Sequence, residues 1–520
     1  MHRCCHGLVK SGVRSQKSEW VARAAILALV AAIAVFLQSP GTSLRAQSAN
    51  EQTITVDTKA AATDFPHVWE QMFGSGRAIL ALRDSYRNDL RSVQGITGFH
   101  FIRFHGIFDD EVGVYDPGND GKPRYNFSYV DQIYDGLLAN GIQPFVEISF
   151  MPKLLAANPV PHPFWYKPYP SPPKDPNQWA DLISAFTRHL IDRYGAEETE
   201  KWYFEVWNEP NIDFWNGEPK KDTYFAFYKL TANAIRKVDP RLKVGGPATA
   251  QAAWVKDFIE YCMRSGAPFD FVSTHIYGNE DPVNVFGTAT PIPRKDMVAR
   301  AVRKVHDEVA ASAAPKTPIL ISEYNATYST QTEVTDSAFM GPWLANNIAE
   351  CDGLTSMMSY WAFSDVFEEQ GVVRKPFYGG YGLVAERGIP KPAYRAFELL
   401  HDLGDKRMAN ASNDALVTKR RSGTIVLALW NYAEPGERGA QKVFRLDLKG
   451  SVAKSYEIQV VDPAHGSAVR AWTAMGEPAS PTQAQISDLI KASQIAPPAR
   501  HAIGDPIRLD PQGLAVITIR

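Results

Sequence analysis

The sequence predicts an α/β protein: a (β/α)8 TIM barrel followed by an accessory antiparallel β-sandwich. Two observations predict it. Between residues 65 and 400, short apolar runs alternate with amphipathic helical stretches, the pattern of a parallel sheet with helical crossovers. After about residue 405 the chain changes to short strand-like runs separated by Gly- and Pro-rich turns, as in a sandwich. Length agrees: 520 residues, 45% hydrophobic and 22% charged, suit a large core and more than one domain.

The first 46 residues read as a removable leader. Arg3, Lys10, Arg14, Lys17 and Arg23 form a basic region, and the uncharged apolar run 24–37 follows it. That run is short for a membrane span of about 20 residues. Small and polar residues then lead to a cleavage point after Ala46, so the segment 1–46 is expected to be a signal peptide and the protein secreted or periplasmic. A membrane association is expected only if this segment stays uncleaved. Cys4 and Cys5 would leave with it, and Cys262 and Cys351 remain, too few for a disulfide framework. No CxxC pair or His/Cys cluster suggests a metal.

The segment 50–64 holds an alternating run, 52–57, expected to pair with the sandwich rather than the barrel. Eight barrel strands are then expected at 72–75, 101–105, 144–150, 202–208, 243–246, 271–275, 319–323 and 359–363. The helices between them carry their own punctuation. Asn126 is expected to cap a helix bearing Val130, Ile133, Leu137 and Leu138. Trp179, Leu182, Ile183, Phe186, Leu190 and Ile191 form one stripe ending at Gly195. Asp222 is expected to cap a third helix, stopped by Asp239 and Pro240. The loop 158–176, rich in Pro and aromatics, is too long to be an idle connection and is expected at a pocket rim. Beyond 405, strands are expected at 417–419, 424–431, 442–448, 455–461 and 514–519, with few helices.

Composition narrows function. Net charge is −2 and the cations are scattered, so no nucleic-acid footprint is present. Aromatic residues make up 11% of the chain and include 12 Trp. Flat rings suit the apolar faces of sugars, and equally a large core.

Two strands end in a carboxyl. WYFEVWNEP at 202–210 ends in Asn208 and Glu209, and PILISEY at 318–324 carries Glu323. Barrel active sites lie at the C-terminal ends of the strands. Either Glu alone would be an ordinary strand-end carboxylate. Together, after strands four and seven, they supply the two carboxyls that glycoside cleavage needs, about 5–5.5 Å apart when configuration is retained. Glu209 would be the protonated acid and later base, Glu323 the ionised nucleophile, with mutual repulsion raising one pKa. Arg103 and His105, two apart on one strand, face the same way. Arg103 is placed to hold Glu323 ionised and His105 to bond a sugar hydroxyl. His275 and Tyr277 follow strand six; Tyr277 would orient the nucleophile or bind substrate. Asn208 would bond the 2-hydroxyl, and Trp361 would be a stacking floor. A core role for Trp361 and a structural role for each His are the plain alternatives.

Seven segments resemble glycoside hydrolase family 39, in order and with compatible gaps over about residues 65–400. They are RFHGIFD at 103–109, PFVEISFMP at 144–152, WYFEVWNEP at 202–210, STHIY at 273–277, ISEYN at 321–325, YWAFSDVFEE at 360–369 and GIPKPAY at 388–394. The resemblance implies Glu209 as acid/base, Glu323 as nucleophile, and His105, Asn208, His275, Tyr277 and Trp361 at substrate contacts. It also implies that Glu368 or Glu369 bonds sugar hydroxyls, where the residues alone read as a solvated surface pair. FWY at 164–166 and SPPKD at 171–175 resemble the bacterial β-xylosidase branch rather than α-L-iduronidase. An iduronidase needs cations for a C5 carboxylate, for which only Lys153, Lys167 and Arg374 offer themselves. The expectation is therefore an exo-acting retaining β-D-xylosidase that trims xylo-oligosaccharides and needs no cofactor. α-L-Arabinosidase, β-glucosidase, α-L-iduronidase or endo-acting exopolysaccharide hydrolase activity on the same scaffold is the alternative. In another class, a carbohydrate-binding protein without catalysis is the alternative.

Overall fold

The computed structural model describes residues 50–120 and 122–520; the expected signal peptide lies outside them. Eight parallel strands close a barrel: Met72–Gly74, Phe101–Arg103, Gln143–Ile148, Tyr203–Val206, Lys243–Thr249, Phe271–Tyr277, Ile319–Asn325 and Met357–Tyr360. The eighth pairs with the first through Ser359–Met72 and Tyr360–Phe73, which shuts the ring. Period-2 alternation puts every second side chain inside. Near the start of the strands the interior is plugged by Met72, Phe145, Phe271, Leu320 and Met357, with Phe101 and Tyr203 packed against them. This apolar plug leaves polar chemistry to the next layers up.

The crossover helices bury the stripes read from sequence. Pro176–Tyr194 buries Trp179, Leu182, Ile183, Phe186 and Leu190, is capped by Asp175, and stops at Gly195. Asn126 Oδ1 accepts from the Ser128 backbone N–H at 3.0 Å, just before Ser128–Leu138. Asp222 does not cap: the helix Lys220–Val238 begins two residues earlier after Pro219, leaving Asp222 inside the first turn, where a carboxylate still favours the helix dipole.

The C-terminal region carries a seven-stranded and a three-stranded sheet. They enclose a core of Ile54, Val56, Val417, Leu427, Leu429, Phe444, Leu446 and Ile517. Strand Ile425–Asn431 is buried on both faces: Leu427 and Leu429 face this core, while Val426, Ala428 and Trp430 join the barrel's. The sandwich departs from the expected all-antiparallel form in one pair. Strand Asn50–Asp57 runs parallel to Lys442–Lys449; a parallel pair needs a crossover, and here the whole barrel provides it. The few helices of this region include Val469–Ala474 and Gln483–Ala492. Cys262 and Cys351 are both buried and free. Among the described residues no helix is long and apolar enough to cross a membrane.

A buried ion triad braces the loop that follows strand eight. Lys391 Nζ lies 2.7 Å from Asp336 and 2.6 Å from Asp365, and donates to the Gly380 carbonyl at 2.9 Å. The two carboxylates accept from the backbone N–H of Gly379 and Gly382, each at 2.7 Å. This holds the turn that carries Tyr381 into the mouth of the barrel.

Candidate active site

The mouth holds a cavity of about 400 Å³ lined by residues that include His105, Asn208, Glu209, Tyr277, Glu323, Trp361, Glu369 and Tyr381. Local backbone irregularities aim the two carboxyls. Strand four ends with Trp207 and Glu209 in the left-handed region, at φ 77° and 42°; such strain persists where the surroundings over-determine it. The Glu209 N–H donates to the Ala248 carbonyl at 2.8 Å, which anchors the turn. Pairing shifts register between Thr274 and His275, and between Ile321 and Tyr324, irregularities of the kind that re-aim side chains beside active sites. The result places a carboxylate oxygen of Glu209, one of Glu323 and a nitrogen of His275 within 4.8 Å of one another.

Below the mouth, Arg103 is fully buried and gathers four partners. It reaches Glu323 Oε1 at 2.7 Å, Glu205 Oε2 at 2.6 Å, Glu147 Oε2 at 2.7 Å and Asn208 Oδ1 at 3.1 Å. Tyr277 Oη donates to the other Glu323 oxygen at 2.6 Å. Both oxygens of Glu323 thus face donors that favour its ionised form. Burial raises the Glu323 carboxyl, and Arg103, His105 and Tyr277 oppose the rise. Burial lifts Glu209 well above the ordinary carboxylate range, and the neighbouring charge of Glu323 lifts it further. Of the pair, Glu209 keeps its proton to higher pH.

His105 Nδ1 lies 2.8 Å from Glu147 Oε2. Burial opposes its protonation, but the Glu147 carboxylate outweighs burial and raises it. Burial likewise opposes ionisation of Glu147, yet Arg103 and His105 hold it below the usual range. Trp361 packs over His105 at 4.8 Å between ring centroids. Its ring occupies the space in front of Gly74, where a Cβ would come within 2.1 Å of it.

Two of the residues expected at substrate contacts, His275 and Glu368, are not among the residues that line this cavity. His275 is fully buried beneath the cavity, with Nδ1 3.0 Å from Glu209 and 3.5 Å from Glu323. Burial first, then Arg103 and His105, drive its pKa well down, so it is a neutral ring between the carboxyls rather than a wall. Glu368 turns away: Arg83 bonds its oxygens at 2.5 and 3.0 Å, and Arg77 reaches it at 3.2 Å. Its φ of 63° reverses the chain there, so Glu368 and Glu369 point to different partners. Glu369 remains in the mouth, where burial pushes its carboxyl up to about 8.

Sequence reasoning passed over Glu147 and Glu205. Both lie in the strand segments 144–150 and 202–208, and an ionisable residue inside an apolar strand is a signal in itself, since a buried charge must be paired. Gln251, in the short helical turn Ala250–Ala252, and Glu280 and Tyr381, in loops, reach the cavity and carry no such signal. The loop 158–176 contributes Phe164 to the wall, and its Trp165 N–H bonds the Glu369 carbonyl at 2.8 Å.

The raised pKa of Glu209 has a stability consequence. Its proton is bound more tightly when folded, so its contribution is present below the ordinary carboxyl pKa and lost as pH rises through the raised one. Glu209→Gln is therefore expected to melt about 2 °C or more above the wild type at pH 7, with the gap closing near pH 4. Equal melting temperatures at both pH values would refute the raised pKa.

A closed parallel barrel with two buried carboxyls meeting at its C-terminal mouth defines a class, the barrel glycoside hydrolases. The chain belongs to glycosyl hydrolases family 39, whose family model matches residues 52–505. A β-xylosidase of Geobacillus stearothermophilus is 39% identical over 440 residues, 82% of this chain and 86% of the relative. A β-xylosidase of Caldicellulosiruptor saccharolyticus is 36% identical over 442 residues, 82% of this chain and 88% of the relative. The solved structure of a family 39 β-xylosidase from Caulobacter crescentus matches with a TM-score of 0.78 at 32% identity, covering 90% of this chain and 100% of the other.

Proposed function

We propose that the protein is a retaining β-D-xylosidase that releases xylose from the non-reducing ends of xylo-oligosaccharides. The observation that carries the mechanism is the meeting of Glu209 and Glu323 at the mouth, an oxygen of each inside 4.8 Å, which favours the short carboxyl separation of a retaining pair. Glu209 donates its proton to the glycosidic oxygen while Glu323 attacks the anomeric carbon, and the leaving alcohol departs. Esterification removes the negative charge of Glu323, one of the causes that raise Glu209. Glu209 then accepts a proton from water, which displaces the ester and restores both groups. Arg103 and Tyr277 hold the nucleophile ionised between turnovers, and Asn208, His105, Trp361 and Glu369 meet the sugar.

The choice of sugar rests on the cavity wall and on the β-xylosidase relatives. Glu209, Glu280, Glu323 and Glu369 line the cavity, and no Lys or Arg does among the described residues. Such a wall disfavours the carboxylate of a uronate and suits a neutral pentose. Its size, about 400 Å³, is that of a small-molecule pocket, which supports action at chain ends.

The test is a panel of aryl glycosides: β-D-xyloside, α-L-arabinoside, β-D-glucoside and α-L-iduronide. The expected result is a kcat/KM for the xyloside at least about tenfold above the others, a difference of about 1.4 kcal/mol in transition-state binding. The sugar first released should be the β-anomer by NMR. First release of the α-anomer would overturn the double displacement; preference for another glycoside would overturn the sugar assignment alone.

A further inference from the structure

We propose that His67, Glu70 and His401 form a divalent-metal clasp that joins the points where the chain enters and leaves the barrel. The site lies at the end where the strands begin, away from the mouth. His67 and Glu70 just precede the first barrel strand, Met72–Gly74. His401 terminates the last barrel helix, Pro392–Leu400. No sequence spacing announces the cluster, since its histidines are 334 residues apart by number; the fold alone brings them together.

The geometry asks for a cation. Both ring nitrogens of His67 face acceptors, and a neutral imidazole has one hydrogen to give: Nε2 lies 3.3 Å from the Gly404 carbonyl. The opposite nitrogen, Nδ1, stands 2.7 Å from Glu70 Oε1. In the neutral ring one of these two contacts sets a lone pair against an oxygen, and a second proton or a metal ion bound at Nδ1 relieves it. His401 repeats the arrangement, with Nδ1 at 3.0 Å from both Glu70 oxygens. One carboxylate is thus shared by two Nδ1 atoms, and a ligand atom from each residue lies within 4.8 Å of the others. The Glu70 carboxyl is 5% exposed, too buried to stand uncompensated.

Two imidazoles and a carboxylate suit a zinc-like ion, which takes nitrogen and oxygen at about 2.0–2.2 Å. Tetrahedral ligands at that range stand roughly 3.3 Å apart, so Nδ1 of His67, at 2.7 Å, and Nδ1 of His401, at 3.0 Å, need draw back only slightly from Glu70. The bond from His67 Nε2 to a backbone carbonyl is the outer contact that orients ligating histidines elsewhere. The ring is also held by Trp69, at 4.2 Å between centroids. His401, 48% exposed, leaves a solvent side from which the ion enters and water completes the coordination. The strands next to the two histidines, Ala62–Asp64 and Lys406–Met408, pair with each other, so an ion here ties the accessory sheet to the barrel base.

The proposal is tested by equilibrium dialysis of wild type and His401→Gln against excess Zn²⁺, with metal counted per chain and melting followed alongside. The expected result is one more equivalent of zinc on the wild type. Its melting temperature should rise by about 2 °C or more with zinc, the variant's should not, and His401→Cys should restore both. Both chains keep the Glu209, His275 and Glu323 cluster, so zinc held at the mouth cancels in the difference; aryl xyloside turnover without metal should be alike in both. Equal zinc and equal thermal shifts in wild type and His401→Gln would overturn the metal and leave a proton-bridged ion pair.

Discussion

Exchanging Glu323 for Gln is expected to lower kcat on an aryl β-D-xyloside by at least about four orders of magnitude while substrate still binds. The amide keeps the shape of the side chain but cannot form the glycosyl ester. The same variant reports on its partner. In the wild type, activity should rise with pH as Glu323 ionises and fall as Glu209 loses its proton, a bell set by the pair rather than by either group. Burial raises both carboxyls, so both limbs should lie above the usual carboxylate range. Removing the charge at position 323 removes one cause of the Glu209 shift and leaves burial, the larger one. Titration of Glu209 in Glu323→Gln by carbon-detected NMR should give a lower pKa than in the wild type. Retention of a tenth or more of the activity, or an unchanged Glu209 pKa, would reject the nucleophile assignment or the coupling respectively.

The second large effect is expected at Arg103. Its guanidinium divides three nitrogens among Glu205, Glu323, Asn208 and Glu147, a planar fork that one ammonium cannot reproduce. Arg103→Lys should lose about 10²–10³-fold in kcat/KM, since the nucleophile is no longer held in place. The pH profile separates positioning from mere loss of structure. Arg103 opposes the burial-driven rise of Glu323, so weakening that contact raises the Glu323 pKa and moves the acidic limb of the bell to higher pH. Arg103→Met should move it further and destabilise the fold by about 3–5 kcal/mol, because it leaves carboxylates buried without their counter-charge. A uniform loss of activity with an unmoved acidic limb would reduce Arg103 to a structural role.

The contrast between Glu323 and Glu368 shows how far sequence reading extends. Glu323 belongs to a strand, and the apolar run before it says both that the chain is extended and that it ends at the mouth. Glu368 sits in a loop at φ 63°, and that one backbone angle decides which of two adjacent glutamates meets the cavity and which meets Arg77 and Arg83. His275 is an intermediate case: its strand is legible, but a register shift beside it sets its depth, and depth makes it a neutral ring under the carboxyls.

The sequence by itself determined the alternation of strands and helices, the order of the strands, and the apolar runs that carry both carboxyls. Those follow from periodicity, a local property that survives without knowledge of neighbours. Only the tertiary structure decided the rest. It closed Arg103 on Glu147 and Glu205, paired the first strand in parallel with one nearly four hundred residues on, and gathered Gln251, Glu280 and Tyr381 at the mouth. These depend on loop dihedrals and on the packing of distant segments, where energies of a few kcal/mol are shared among many contacts and no single stretch of chain carries the information.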